Sequence, residues 1–394
     1  MRSPCSAALL FISLTVVSTL PVGMPALAQN SAEPAYQGMQ PLLVQGTQDG
    51  FAEGKPKIRH LYLAAPDVLA IVVDTQHLWS APVQKYVPKP GDTIKRSGPQ
   101  PYGTKGGQFF WNRFIIRNGV NIGNVVGPKE DHYIPHYQLK GEALNTVWTS
   151  DPSHYTLTSD DDVAYRAAGT PTAVFRKSKP EMYEWTDKGK QDGTARHELY
   201  LKLPRALTPG KRYTLHFTSG GQLVTPVSFL FDDAKLRTEA IEVTQSGYHP
   251  RQTEKLARLF QWLGSGGGVD FSAFKNFQIV DDKTGTTKFQ GEIKLSALGD
   301  PNRKQAPERT ADVGDTLPAP VYRLDFSSFS EPGRYRVVVP GLGTSFSFRI
   351  DGNVWGDVAK VTAHGFLNQR SGIALGPPYT KYQRPRNFHP ADGV

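Results

Sequence analysis

His132 and His136 flank Tyr-Ile-Pro in DHYIPHY, with Asp131 alongside, which are the residue types of a divalent-metal site. Pro135 interrupts any helix that would place both imidazoles on one face, so the segment reads as an accessible polar loop. Asp160, Asp161 and Asp162 carry calcium-type oxygens but lack the glycine and distal glutamate of an EF-hand loop, and read as a solvated turn. The run Gly264-Ser265-Gly266-Gly267-Gly268 lacks the Gly-Lys-Ser/Thr ending of a phosphate loop and reads as a flexible connection. Ser345 in GTSFS has Ser347 where a nucleophile elbow needs its second glycine. Aromatic faces suit pyranose rings; of the 6 tryptophans most are expected to fill cores, and an exposed pair among Trp111, Trp148 and Trp185 is the candidate for carbohydrate contact. No residue pattern calls for a cofactor or a metal.

The elements that would hold such residues are strands. The 38 glycines, 31 prolines and 11% aromatic content favour short strands joined by turns. From Lys57 onward HLYLA, VLAIVVD and FFWNRFIIRNG are dense in β-branched and aromatic residues, and the region 57–236 reads as one elaborated β-sandwich. Residues 237–352 contain NFQIVDD, KFQGEI, YRLDFSSF, RYRVVVPG and SFSFRI, alternating runs that predict an immunoglobulin-like sandwich of seven or so strands. The two blocks share an order of strand, Pro-Gly, basic residue, Tyr and strand, which places Tyr213 and Tyr335 as tyrosine corners. After Asp351 the period changes: Val354, Val358, Val361, Phe366 and Leu367 fall near one helical face, with Asp351 or Asn353 available as N-cap and Gly372 as a stop.

The N-terminus has Arg2, an apolar run Ala7 to Leu20 and Ala26-Leu27-Ala28, the pattern of a secretory signal over 1–28. Cleavage there would remove Cys5, the one cysteine, and leave a chain without disulfides. Residues 29–56 read as a linker. The formal charge of +9, or +8 once Arg2 is subtracted, is scattered, so neither nucleic acid nor a membrane span is expected. A periplasmic or secreted address follows from the leader.

IEVTQSGYHP (Ile241 to Pro250), then DFSSFSEPGRYRVVVPGLGTSFSFRI and FLNQRSGIAL, resemble the N-terminal immunoglobulin-like domain of family 9 glycoside hydrolases (cellulases) and its junction with the catalytic (α/α)6 barrel. The likeness covers Ile241 to Val394. In the motif residues alone, Gly247 permits a bend with positive φ, Tyr248 and Pro250 pack the turn, and Phe326 points inward while Asp325 and Ser327 satisfy turn amides. What the resemblance implies is an inverting β-glucan hydrolase that needs a separated carboxylic acid and carboxylate. Its base would lie in a D-A-G-D stretch and its acid in a distal Glu, and neither stretch is in this sequence, so no catalytic residue is assigned. Many relatives place zinc-binding cysteines at this junction. Here Ser371 and Phe388-His389 stand in those places, and no structural zinc is expected.

The expected fold is therefore mainly β: two consecutive β-sandwich (immunoglobulin-like) domains, then at 353–394 the short helical start of an (α/α)6 barrel whose remainder this sequence lacks. The expected role is the non-catalytic N-terminal part of an exported family 9-like glycoside hydrolase, a scaffold for its catalytic domain, with β-glucan as a candidate ligand. On that expectation the helix face around Val354, Val358 and Val361 is exposed, built for a partner. The alternative is a stand-alone envelope or secreted polysaccharide-binding β-sandwich protein.

Overall fold

Strands begin where β-branched and aromatic residues crowd together. The computed structural model describes residues 42–43, 54–79, 81–96, 100–101, 108–109, 113–126, 129–185, 191–299, 318–384 and 386. The leader and linker, apart from Leu42–Leu43 and 54–56, fall outside them. Strands β1 (Lys57–Ala65) and β2 (Val68–Asp74) pair across the Pro66-Asp67 turn. All of β2 is buried, as its unbroken apolar run requires, and a strand buried on both faces must be covered on both.

One cover is the rest of the first sandwich. The inserted strands β3 (Asp92–Arg96), β4 (Arg113–Arg117), β5 (Val120–Val126) and β6 (His132–Pro135) make a side sheet with Gln84–Lys85, around a small core of Tyr86, Ile115 and Val125. The main sheet resumes after β7 (Tyr155–Thr158) with β8 (Ala173–Trp185) and β9 (Gln191–Lys202), in the order Leu42–Leu43, β1, β2, β9, β8. Facing it, β7 pairs with β10 (Lys211–Phe217), which pairs with β11 (Val227–Phe231). Leu69, Ile71, Val73, Leu199 and Leu201 fill the space between these layers. The DHYIPHY segment forms strand β6 rather than a loop, with His132 exposed and paired to Asp131.

Among the described residues the second sandwich has eight strands: β12 (Ile241–Glu242), β13 (Leu256–Leu259), β14 (Asn276–Asp281), β15 (Thr287–Ala297), β16 (Val321–Asp325), β17 (Gly333–Val339), β18 (Gly343–Thr344) and β19 (Phe348–Ile350). Strand β15 pairs with β14 through its first half and with β16 through its second, so it passes from one layer to the other. The expected two-sandwich, mainly β architecture is what forms.

The tyrosine corners form as the repeat predicts. Tyr213 donates to Asp162 Oδ2 at 2.6 Å and accepts from Thr208 N at 2.8 Å, and Tyr335 donates to the Glu331 carbonyl at 3.1 Å. Asp162 therefore corrects the reading of a solvated turn: it is 7% exposed, and its carboxylate also accepts from Ala164 N. Gly247 has φ +97°, and a Cβ there would meet the Arg349 carbonyl at 2.5 Å. Phe326 is fully buried, and Ser327 N donates to Asp325 Oδ1 at 2.9 Å.

The only α-helix among the described residues is α1 (Val354–Gln369), entered through Asn353 and left at Arg370. Its face is not uniformly open, contrary to the sequence expectation. Val354 is buried, and Arg349 Nη1 pairs with Asp357 at 2.7 Å, so the first turn is pinned to the second sandwich. Val361 and Phe366, further along, are 66% and 70% exposed. No helix among the described residues is long and apolar enough to cross a membrane, a statement that does not bear on β-barrels.

Candidate functional site at the joint between the sandwiches

The outer face of β2 carries Val68, Ala70 and Val72, and it is covered by Leu263 and Val269 of the second sandwich. Strand register builds two rows of side chains on this face. Tyr62, Ala70, Tyr200 and Phe175 lie opposite one another across β1, β2, β9 and β8. His60, Val72, Glu198 and Lys177 form the next row. A small residue at Ala70 leaves the two tyrosines room to lean over it.

Glu198 is 3% exposed, and a carboxylate so deeply buried requires partners. It accepts from Tyr200 Oη at 2.5 Å and Tyr62 Oη at 3.2 Å, and Lys177 Nζ lies 2.5 Å away. Gln261 Nε2 donates to Tyr200 Oη at 3.2 Å, which ties the second sandwich into the network. Burial, then the neighbouring Tyr200 and Glu198, raise the Tyr62 phenol, so both tyrosines remain donors. Thr238 Oγ1 adds a bond to the Leu63 carbonyl at 2.6 Å. Glu239 pairs with His60 at 3.2 Å; burial alone would raise its carboxyl, but His60 and Arg237 outweigh that and bring it down to about 2.

The glycine-rich run completes the joint and corrects its reading as a flexible connection. Gly264 has φ +65°, and a Cβ there would lie 2.2 Å from the Arg176 carbonyl; one on Gly266 would lie 2.4 Å from the Phe175 ring. Ser265 Oγ accepts from Arg176 N at 3.1 Å. These glycines let the backbone of the second sandwich press directly onto β8.

Two cavities open beside the joint and share Glu242. One, of about 300 Å³, lies between Lys177, Lys179, Glu239 and Trp262; the other, of about 380 Å³, between Thr244, Gln252, Glu254 and Arg258. Glu242 stands opposite Arg258 in the β12–β13 ladder. Burial, then the charge of Glu239, raise the Glu242 carboxyl. Such a groove can bind a polar ligand. Glu198 lines neither cavity and is committed to the joint.

Residues 237–344 match the family described as the cellulase N-terminal ig-like domain. Endoglucanase D of Acetivibrio thermocellus is 41% identical over 59 residues, 15% of this chain and 9% of that protein. The second sandwich contains a cellulase-type immunoglobulin-like domain. Among solved structures, a metagenome-derived glycoside hydrolase family 9 endoglucanase is similar at 30% identity over 38% of this chain and 24% of that one, with a TM-score of 0.29. A Bacteroides ovatus GH9 protein is similar at 24% identity over 37% and 22%, with a TM-score of 0.27. The aligned segments thus span less than a quarter of these relatives' length.

In this cellulase-type domain the motif residues are scaffold. Tyr248 Oη donates to the Leu256 carbonyl at 2.6 Å, and its ring meets Phe326 and Phe348 edge-on. Ser345 is fully buried and accepts from Val337 N at 2.9 Å. Of the sequence-selected tryptophans, Trp148 is half-buried, lies against Gly221 and stacks on His154 at 4.3 Å. Trp111 and the side chain of Trp185 lie outside the described residues, as do Phe388 and His389. Ser371 is exposed. The joint cluster escaped sequence reasoning because its members lie far apart in the chain. The available signal was polar residues, Tyr62, Glu198 and Tyr200, inside otherwise apolar strands.

Proposed function

We propose that this chain is the non-catalytic N-terminal part of an exported family 9-like glycoside hydrolase acting on β-1,4-glucan or a related polysaccharide, and that it steadies the catalytic barrel. The observation that carries this is helix α1. Its first turn is locked to the cellulase-type domain through Val354 and the Arg349–Asp357 pair, while Trp355, Val361 and Phe366 stay 54–70% exposed. An anchored helix that presents large apolar side chains is suited to holding a neighbouring domain.

The test is to mix the purified chain with a family 9 catalytic domain stripped of its own immunoglobulin-like domain. Association that raises the melting temperature of the catalytic domain by several degrees is the expected result, and no association overturns the scaffold role. The chain by itself should release no reducing sugar from carboxymethylcellulose; turnover would show that it carries an active site of its own.

A further inference from the structure

The two cavities at the joint meet at Glu242 as a groove that shares Lys177, Glu239, Gln261 and Tyr248 with the scaffold contacts and adds Glu242, Arg258 and Trp262 to them. Trp262, 37% exposed, contributes to its wall, whereas the exposed Trp79 is covered by Lys140 Nζ, 4.5 Å above its ring. Along the groove Lys177, Lys179 and Arg258 balance Glu239, Glu242 and Glu254, three charges against three. Several of these are already occupied: Lys177 by Glu198, Glu239 by His60, and Glu254 by Arg323 at 3.9 Å. A lining with no net charge does not favour ions of one sign overall, but it is rich in donors and acceptors. Glu242 makes no ion pair among the described residues, and Arg258 lines the groove beside it, although its Nη1, which has no hydrogen-bond partner among them, is itself buried. The combined volume suits a ligand longer than one ring. Apolar surface with a π face beside neutral-on-balance polar groups is the chemistry that recognises a sugar: C–H faces stack while hydroxyls bridge carboxylate and guanidinium.

We propose that this groove binds a neutral oligosaccharide, with Trp262 as its stacking platform and Glu242 and Arg258 as hydroxyl partners. The walls come from both sandwiches, so the locked joint preforms the site. The inference deepens the polysaccharide reading above and rests on it only for the choice of first probe.

The full chain is titrated with cellohexaose, laminarihexaose and mannohexaose, followed by tryptophan fluorescence and calorimetry. Saturable binding at millimolar concentration to at least one of them is expected. Trp262→Ala should weaken it at least about tenfold, equivalent to about 1.4 kcal/mol, while Trp355→Ala on α1 leaves it unchanged. Glu242→Ala, at an exposed position, should also weaken it and serves if Trp262→Ala does not fold. No saturable binding to any of the three, or equal binding by both groove variants and the parent chain, overturns the proposal. Binding to laminarihexaose or mannohexaose alone supports the groove and removes β-1,4-glucan as its ligand. Because the catalytic-domain association test does not involve Trp262, failure here is separable from failure of the scaffold role.

Discussion

His197 lies behind the joint at 8% exposure, its Nδ1 2.8 Å from Ser178 Oγ. Burial, helped by the charge of Arg176, lowers its pKa to about 4. Between about 6.5, the unfolded value, and about 4 the unfolded chain binds a proton that the folded one refuses, so stability must fall as pH drops through that window and level off below it. Thermal melts from pH 8 to pH 4 should show this, and His197→Gln should flatten the slope. Tyr213 offers a second test. Its hydroxyl serves a buried carboxylate, so Tyr213→Phe should cost on the order of 2 kcal/mol in urea denaturation. The corner itself was legible, because Pro-Gly followed by a basic residue and Tyr is a local signal. Asp162 was not legible, since its partner lies 51 residues away.

Among elements, the glycine turn at Gly264–Gly266 separates close packing from backbone strain. Gly267 also has positive φ, +75°, yet a Cβ there would meet nothing within 4 Å. Gly267→Ala should therefore cost roughly 1–3 kcal/mol for its backbone alone, since φ +75° with ψ −164° is a conformation essentially reserved for glycine. Gly264→Ala, at φ +65°, also strains the backbone and in addition drives a methyl to within 2.2 Å of the Arg176 carbonyl, so its loss in chemical denaturation should be the larger. The sequence marks this run as irregular but does not say what it presses against. Helix α1 shows the same division. Its existence and its entry at Asp351 or Asn353 follow from the change of period, the structure choosing Asn353, but which valines are covered depends on where the second sandwich lies.

Across the whole molecule, a single apolar cluster runs from Ile58 of the first sandwich to Ile350 of the second. The joint adds Leu263, whose burial is worth about 2 kcal/mol, and the Glu198 network. Both sandwiches should therefore melt together in differential scanning calorimetry, with calorimetric and van't Hoff enthalpies in agreement. Glu198→Ala, which leaves the partly buried Lys177 without its partner, should split this into two transitions. The count and class of the sandwiches could be read from alternating runs. Their locking could not, because β2 is apolar from Val68 to Val73 and does not reveal which of its faces meets which layer.

Strand β8 is the last in its sheet, and such an edge invites a foreign strand. Here Gly264 and Ser265 sit against it at Arg176, Lys177 and Lys179 charge it, and the ladder slips at Pro180. The joint thus has a colloidal consequence: concentrated solutions should not form fibrils from this edge, since its row of backbone groups is interrupted along its length.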